Sequence, residues 1–404
     1  MKLRYNYRIY PNEKQKEKLA QTFGCARVVW NDSLAIIKSL EEGEKWPSNG
    51  DLQKIVITQA KQTEQRYWLG DVSNIPLQQS VRDVGTALSS FFKSMKGERK
   101  GQRLGFPRFK RRHDNQSARF ARHGFSVRDN GKLFLAKIGD VKVQWSRELP
   151  STPSSVTVLK NKVCQYHVSF VVEVDIPFIP AEHEAVGVDL GIKTFAVTSR
   201  SEYIQSPGYE RLERKVGRFQ RKLSRQVKGS NRWQRTKHRI AQLHLKIANI
   251  RNDFLHKLST KLVKENQIIC LEDLNVKGMV KNRKLARAIS RQGWGIFRAM
   301  CEAKAAMYGR EFQLINRWEP TSQMCSSCGY QWGKLNLSIR EVTCINCGAK
   351  HDRDGNAAMN IERSGVEQSQ DPKTGHGVSV RPGSQAVCDE VSTHLVGTQL
   401  CLDI

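Results

Sequence analysis

The chain has 404 residues, which by length alone suggests two to four domains with cores of their own. Its 67 lysines and arginines outnumber its 39 aspartates and glutamates, so the formal net charge is +28 at neutral pH. Such an excess favours a polyanion as partner over the alternative of a merely soluble basic protein. A membrane surface is disfavoured as partner, because no basic amphipathic helix stands alone at either end.

The location of the protein is inferred from what the sequence lacks. Its first residues contain no apolar signal segment, and no stretch approaches the roughly 18 apolar residues that a membrane span needs. We therefore expect a cytoplasmic protein. In a reducing compartment, the ten cysteines are not expected to form a disulfide framework.

The N-terminal part predicts one strand followed by helices. Residues 2–10 alternate polar and apolar side chains, which predicts a half-buried strand. Asn12 and Gln15 predict a capping box, and the pattern is helical from there to about residue 96. Because a lone strand is marginally stable, we expect it to join the strands predicted in residues 116–176, with the helices inserted between them.

A strongly basic segment, Lys93–Arg112, holds nine lysines or arginines and one glutamate. We predict that it contacts the phosphates of RNA or DNA, although a solvated face would have the same composition. The candidate nucleic-acid-binding residues are Lys93, Lys96, Arg99, Lys100, Arg103, Arg108, Lys110, Arg111 and Arg112.

The second half begins with a predicted strand, tight turn and strand, "VGVDLGIKTFAVTS". Residues 209–264 predict long helices interrupted near Gly229. In the second of these helices, apolar residues recur every three or four positions from Ile240 to Leu262, which predicts a buried seam. Residues 267–274 predict a short apolar strand that ends in acidic residues. Basic side chains on the second long helix could follow a phosphate backbone, although a solvated helix face would have the same composition. They are Arg232, Arg235, Lys237, Arg239, Lys246 and Arg251.

Four cysteines have the spacing of a zinc site. Cys325 and Cys328 form one C-x2-C pair, and Cys344 and Cys347 form another after 15 intervening residues. Two such knuckles present four thiolates tetrahedrally, which leaves no position for water and predicts a structural Zn²⁺ site. A thioredoxin-type redox pair is the alternative, but the surrounding βαβ pattern that it needs is absent from the sequence.

Acidic residues suggest a second, harder metal. Asp189 lies in an apolar strand and Glu272 ends another, where an unpaired carboxylate would be costly. Asp352 and Asp354 follow the second cysteine pair, and Asp354 precedes a predicted helix, so it could simply be a helix cap. If the carboxylates converge, their oxygens suit Mg²⁺ or Mn²⁺, but spacing alone does not establish convergence.

The segments "GVDLGIKTFAV", "IICLEDLNVKGM" and "TSQMCSSCGY…CINCGAKHDRDGNAAMNI" together resemble the TnpB family. These are compact RNA-guided nucleases of bacterial insertion sequences, related to type V CRISPR effectors. The resemblance continues in "YRIYPNEKQKEKLAQTFGCARVVWND" and "GFPRFKRR", and it covers residues 1–363 in family order.

The resemblance implies a multidomain α+β protein with five parts. A wedge-like β-barrel would comprise residues 1–12 and 114–182, with a helical recognition insertion at 13–113. An α/β ribonuclease H-like (RuvC) nuclease domain would comprise 183–320 and 350–364, with the zinc ribbon inserted at 321–349. Residues 365–404, which are rich in Gly, Ser and Gln, are expected to be a largely disordered tail.

The resemblance also implies a catalytic triad, Asp189, Glu272 and Asp354, that holds Mg²⁺ or Mn²⁺. Asp354 is preferred to Asp352 because it occupies the family position just before x-N-A-A; Asp352 would then support it or pair locally with Arg353. The implied partners are a transposon-encoded guide RNA and a target DNA duplex in a bacterial or archaeal cytoplasm, associated with the nucleoid.

Three other functions are alternatives to an RNA-guided DNA endonuclease. An RNA-guided repressor that no longer cuts would be marked by loss of a catalytic carboxylate, and all three are present. An actin-like ATPase would fit "DLG" after a strand, but no Gly-rich phosphate loop follows. A strand-joining transposase is disfavoured because the resemblance implies cleavage, with a separate enzyme for joining.

Overall fold

The computed structural model describes residues 1–41, 43–99, 103–336 and 338–370. By its internal contacts the chain divides into two units, Met1–Val174 and Asp175–Ile404. Each unit has its own sheet and its own hydrophobic core.

The first unit contains a seven-stranded antiparallel sheet with the order β2-β6-β7-β1-β5-β4-β3. Its strands are β1 (Lys2–Tyr10), β2 (Gln116–Ala121), β3 (Phe125–Val127), β4 (Lys132–Leu135), β5 (Gly139–Gln144), β6 (Ser155–Lys160) and β7 (Tyr166–Glu173). Strand β1 pairs with both β5 and β7, which confirms that the N-terminal strand joins the later ones.

In the described residues between β1 and β2, the α-helices are α1 (Glu13–Ser39), α2 (Asn49–Gln53) and α3 (Asn74–Met95). A π-helical segment, Lys54–Gln59, and 3-10 turns at Ala60–Gln62 and Tyr67–Asp71 connect α2 to α3. The predicted capping box is present, since Asn12 Oδ1 accepts from Gln15 N and Gln15 Oε1 accepts from Asn12 N. Leu19 and Phe23 of α1 pack in the core of the sheet.

The second unit contains a five-stranded sheet with the order β10-β9-β8-β11-β12. These strands are β8 (His183–Leu190), β9 (Ala196–Thr198), β10 (Tyr203–Ile204), β11 (Asn266–Glu272) and β12 (Glu311–Ile315). Strands β8, β11 and β12 are parallel, and β9 is antiparallel to β8. A separate two-stranded sheet joins β13 (Glu341–Thr343) and β14 (Lys350–Asp352).

The helices of the second unit lie on both faces of its sheet. They are α4 (Glu210–Ser224), α5 (Asn231–Glu265), α6 (Val276–Met279), α7 (Ala286–Gln292), α8 (Trp294–Tyr308) and α9 (Arg353–Gln370). Residues of α5 and α8 share one core with Val186, Val188 and Ile269 of the sheet. The opposite face is covered by α9, whose Ile361 packs with Cys270.

The apolar seam predicted along the second long helix divides between two cores. Ile240, Leu243 and Ile247 pack against α4 in a small cluster of their own. Phe254 and Leu258, two turns and more further along α5, pack against the sheet. The first half of α5 therefore forms a helical hairpin with α4, and only its second half belongs to the sheet core.

The disordered tail expected from residue 365 is wrong for residues 365–370, which are helical. Helix α9 continues past Gly365 to Gln370, because Val366 packs on the cluster around Ile361 and Ser369 Oγ donates to Glu311 Oε1 at 2.7 Å. Residues 371–404, where disorder was also expected, lie outside the described residues. Among the helices that the structure does describe, none is long and apolar enough to cross a membrane.

Candidate functional site

Two of the predicted acidic residues lie side by side at the carboxyl ends of parallel strands. In the register of β8 and β11, Val188 pairs with Leu271, so the next positions are Asp189 and Glu272. Side chains alternate between the faces of a sheet, so both carboxylates lie on the face that carries Cys270. Both side chains are partly buried.

The electrostatics of Asp189 connect it to the third acidic residue. Burial raises the pKa of Asp189 to about 7, and the negative charges of Asp354 and Glu272 contribute to the rise. The pKa of Glu272 is also raised, first by burial and then by the charge of Asp273. Carboxylates gathered in this way repel one another unless a proton or a cation neutralises them.

Two glycines allow α9 to lie directly on the sheet. A Cβ added at Gly187 would be 2.0 Å from Ala358 O, and one added at Gly365 would be 2.3 Å from Cys270 Sγ. Any other residue at either position would therefore push the helix away. Sequence analysis did not single out either glycine, although a glycine inside a predicted strand is a signal of close backbone approach.

Asp354 lies in the first turn of α9 and is partly buried. Its carboxylate forms an ion pair with Arg340, with 3.1 Å between Arg340 Nη1 and Asp354 Oδ2. Arg353 N donates to Arg340 O at 2.7 Å, which fixes the chain beside the helix start. Asp354 is near enough for its charge to raise the pKa of Asp189, but its own carboxylate is paired with a cation.

Asp352, rather than Asp354, caps the helix. Its Oδ1 accepts from Gly355 N at 2.9 Å, so the alternative in which Asp354 is the cap is wrong. Asp352 also accepts from Tyr203, and burial followed by this hydrogen bond raises the pKa of Tyr203 to about 12. Arg353 Nη1 donates to Asn336 O at 3.3 Å. No motif in the sequence pointed to Tyr203 as a residue of this site.

The four cysteines converge more tightly than the carboxylates. Their four Sγ atoms all lie within 4.8 Å of one another. Among the described residues, this is the group of three or more potential metal ligands that lie so close together. Cys325 and Cys344 are buried, while Cys328 and Cys347 are exposed. This arrangement could hold a metal ion, as their spacing predicts.

The two cysteine knuckles have matching backbone geometry. Gly329 N donates to Cys325 O and Gly348 N donates to Cys344 O, each at 2.9 Å. Both glycines have positive φ, +75° and +73°, which is the conformation that a tight knuckle needs. We call residues 321–349 the ribbon segment.

His351 is a further residue at the cysteine cluster that sequence analysis missed. Its Nε2 lies 3.1 Å from Cys325 Sγ, and the residue is only 8% exposed. It lies on β14, directly before Asp352, so the last strand of this small sheet contacts the cysteine cluster and leads into α9. The sequence did contain a signal for His351, because it lies four residues after Cys347, a cysteine of the predicted zinc site.

Asp273, which follows Glu272, is neutralised by arginines. It pairs with Arg298 at 2.6 Å and also with Arg317. These hydrogen bonds and charges, the one from Arg317 first, hold the pKa of Asp273 below its usual range. The pKa values of these two neighbouring carboxylates are therefore shifted in opposite directions: that of Asp273 is lowered by the arginines, and that of Glu272 is raised by burial.

The predicted basic segment divides into exposed and withdrawn residues. Lys93, Lys96, Arg103, Arg108, Arg111 and Arg112 are exposed and Arg99 is partly exposed, whereas Lys100 lies outside the described residues. Lys110 differs, because its Nζ lies 3.7 Å from the centre of the Trp30 ring and burial lowers its pKa. Trp30 Nε1 also donates to Arg108 O at 3.0 Å, so α1 holds part of this segment.

The basic residues of α5 are mostly exposed. Arg232, Arg235, Lys237, Arg239 and Lys246 are all exposed. Arg251 is the exception: it is partly buried, its Nη1 donates to Ser290 O at 3.2 Å, and burial lowers its pKa.

Family models match three regions of the chain. Residues 169–283 match OrfB_IS605, described as "Probable transposase", and residues 294–361 match the Cas12f1-like TNB domain. Residues 1–45 match a model of the same OrfB_IS605 group described as a helix-turn-helix domain. In the structure, those first residues are strand β1 and the long helix α1.

Curated relatives are similar over nearly the whole chain. A Streptomyces pristinaespiralis protein named "Putative RNA-guided DNA endonuclease" is 41% identical over 374 residues, 91% of this chain and 90% of that protein. The Escherichia coli K12 protein "Putative RNA-guided DNA endonuclease InsQ" is 31% identical over 381 residues, 89% and 92% of the two chains. A chain of the solved Cas12f1-sgRNA-target DNA complex is 16% identical, with coverage of 90% and 99%, but its TM-score of 0.33 is too low to support an argument.

Proposed function

Because the chain belongs to the TnpB family, we propose that it is an RNA-guided DNA endonuclease. Its likeness to two relatives with that name covers 91% and 89% of the chain. The observation that supports the proposal most strongly is the strand register that sets Asp189 beside Glu272, with Asp354 near enough for its charge to raise the pKa of Asp189. A protein that only bound RNA and DNA would have no need of this costly grouping.

We propose that Asp189, Glu272 and Asp354 hold Mg²⁺ or Mn²⁺. The donor set fits, because carboxylate oxygens are the ligands that these hard cations prefer. A cation would also offset the repulsion from Asp354 and Glu272, which adds to the effect of burial in raising the pKa of Asp189. When bound, the ions would supply an activated water and stabilise the leaving oxygen of a phosphodiester. Asp354 would exchange its ion pair with Arg340 for the metal.

The chain's own residues prepare this site in three ways. The parallel strands hold Asp189 and Glu272 at neighbouring positions on one face of the sheet. Arg298 and Arg317 form ion pairs with Asp273, which offsets part of the negative charge that this fourth carboxylate places beside Glu272. Arg353 lowers the pKa of Asp189 and so favours its charged, metal-binding form.

We propose a structural Zn²⁺ at Cys325, Cys328, Cys344 and Cys347. Four thiol groups within 4.8 Å of one another, two of them buried, suit a closed tetrahedral site. The match of residues 294–361 to the TNB domain supports this assignment.

We also propose the family's domain assignments. The order β10-β9-β8-β11-β12, with three parallel strands, supports a ribonuclease H-like RuvC domain at residues 183–320 and 350–364, with the ribbon segment inserted. The antiparallel seven-stranded sheet supports a wedge barrel at residues 1–12 and 114–182, and the helices between its strands support a recognition insertion at 13–113.

The proposed partners are a guide RNA, encoded by a transposable element, and a target DNA duplex. The exposed residues of Lys93–Arg112 and of α5 supply positive charge for the phosphates of these partners. Base pairing with the guide would select the target, while the protein would read a short flanking motif.

The test begins with the RNA that co-purifies with the full chain, which should be sequenced and used to design a matched DNA duplex. In Mg²⁺, the wild type should cut this duplex, and Asp189→Ala should bind it equally but cut it at least about a hundredfold more slowly. Metal analysis should find about one zinc per chain, and Cys325→Ser should lower that content. A wild type that binds the matched duplex but never cuts it would instead support an RNA-guided repressor.

A further inference from the structure

Two buried asparagines on α9 have no part in either proposed metal site. Asn356 is 1% exposed and Asn360 is fully buried. They are four residues apart and therefore lie on one face of the helix. A buried amide is costly unless its polar atoms are paired, so the partners of these side chains indicate what they do.

Asn356 holds the backbone on both sides of a proposed zinc ligand. Its Oδ1 accepts from Ser326 N at 2.8 Å, and its Nδ2 donates to Met324 O at 2.7 Å. The residue between these two backbone groups is Cys325. Because an amide N–H only donates and a carbonyl only accepts, the orientation of the Asn356 side chain is determined.

Asn360 continues the same contact one turn further along α9. Its Nδ2 donates to Met324 O at 2.7 Å and to Thr321 O at 2.8 Å. Its Oδ1 accepts from Arg363 Nη2 at 2.8 Å. The two asparagines therefore bind the first cysteine knuckle and the turn before it to α9 through four hydrogen bonds.

We propose that Asn356 and Asn360 are positioning residues that couple the cysteine metal site to the placement of Asp354. Asp354 lies two residues before Asn356 in the same helical turn, so a shift of the knuckle at Cys325 displaces the start of α9. The inference rests on the proposed function, because it gives the zinc a role in the proposed hydrolytic site rather than in the ribbon segment alone.

A purely structural role for the asparagines makes a different prediction. If they only stabilise the fold, their replacement and zinc removal have independent, additive effects on α9. If they couple the two sites, zinc removal loosens the start of α9 only while the asparagines are present. The two roles are therefore distinguished by whether the effects of asparagine replacement and zinc removal on α9 add, and not by the size of either effect.

The experiment measures hydrogen exchange of the amides in residues 353–360 of the full chain, before and after zinc extraction with a chelator. The variant is Asn356→Asp, which keeps an acceptor for Ser326 N but has no donor for Met324 O. The matched control is Met359→Gln, on the exposed side of the same helix, where Met359 is 38% exposed. If Asn356→Asp does not fold, Asn356→Ser is used in its place.

In the wild type and in Met359→Gln, zinc extraction should speed exchange in this segment by about tenfold, as expected when a buried hydrogen bond is lost. In Asn356→Asp, exchange should already be faster with zinc still bound, and extraction should add little. The Mn²⁺ concentration that half-saturates binding to the zinc-loaded chain, measured by calorimetry, should rise in Asn356→Asp and not in Met359→Gln.

Equal acceleration by zinc extraction in the wild type and in Asn356→Asp would overturn the coupling. So would Mn²⁺ binding to Asn356→Asp that matches the wild type. Neither readout needs guide RNA or DNA, so a failure of the coupling is distinguishable from a failure of the proposed function, which would appear as a wild type that does not cut.

Discussion

Arg340 Nη1 lies 3.1 Å from Asp354 Oδ2, so a cation from the ribbon segment pairs with one of the three carboxylates proposed to bind metal. Arg340 and the incoming metal would compete for the same oxygens. We predict that Arg340→Ala tightens Mn²⁺ binding, by up to about fivefold, since partly exposed ion pairs are worth up to about 1 kcal/mol. Calorimetric titration of the full chain with Mn²⁺ measures this. Lys334→Ala, an exposed change in the same segment, should have no effect, and unchanged or weaker binding by Arg340→Ala would contradict the competition.

The two aspartates of "HDRDG" should differ in what they contribute. Asp354→Ala should abolish cutting of a guide-matched duplex and leave binding intact. Asp352→Ala should instead destabilise the start of α9 by about 0.5–2 kcal/mol, because it removes the cap on Gly355 N, and should slow cutting less. Asp352→Asn keeps a capping oxygen and should restore most of the stability. Cleavage and thermal unfolding are measured on the same preparations. If Asp352→Ala lost cutting and Asp354→Ala kept it, Asp352 rather than Asp354 would be the residue that cutting needs.

The close contact at Gly187 predicts a large effect from a single methyl group. In Gly187→Ala the new Cβ would lie 2.0 Å from Ala358 O and 2.5 Å from Glu362 N, so α9 must move away from β8. We expect a loss of about 1–3 kcal/mol or more in unfolding free energy. Gly217→Ala in α4 is the control, since no atom lies within 4 Å of its added Cβ, and it should be stabilising by about 0.5–1 kcal/mol. Chemical denaturation measures both, and similar effects of the two changes would show that α9 does not need the glycine.

The raised pKa of Asp189 predicts a pH-dependent stability in protein without added divalent cation. Because its folded-state pKa, about 7, lies above the ordinary value of 3.8, the folded state prefers the protonated form. Its stabilising contribution is therefore complete below about pH 4 and is lost as pH rises through 7. Asp189→Asn should melt higher than the wild type at pH 8, with a difference that shrinks towards pH 4.

The exposed Asp253 provides the control for that experiment, since its side chain is 63% exposed in a surface ion pair. Asp253→Asn should show no such pH-dependent gain. Millimolar Mg²⁺ should stabilise the wild type at pH 8 more than it stabilises Asp189→Asn. A constant difference between Asp189→Asn and the wild type from pH 4 to pH 8 would mean that burial does not penalise this carboxylate.

The basic segment predicts a test by salt dependence. Replacing the exposed Arg108, Arg111 and Arg112 with Ala should weaken guide-RNA binding and lower the slope of log affinity against log salt by up to about one unit per lost phosphate contact. Lys110→Ala should lower the slope less and cost stability instead, because Lys110 packs over the Trp30 ring. An unchanged slope after the triple replacement would identify the segment as a solvated surface.

Much of the local structure could be predicted from the sequence because its causes are local. The capping box of Asn12 and Gln15 depends on two residues three positions apart, and it forms as predicted. The cysteine knuckles follow from the spacing of four residues and their glycines. In contrast, the seam along α5 was one apolar pattern in sequence but packs in two cores, because a one-dimensional pattern does not specify its partners.

The sequence by itself determined the residue types of the site: cysteine pairs for a soft metal and, by family resemblance, three carboxylates for a hard one. Only the tertiary structure decided how they are related. The register that sets Asp189 beside Glu272, the glycine contact that lets α9 approach, and the asparagines that hold the Cys325 knuckle all join residues far apart in the chain. The same holds for Asp352, whose role as cap depends on where α9 begins. Such contacts depend on how the elements pack in three dimensions, and no pattern within a short window of sequence encodes that packing.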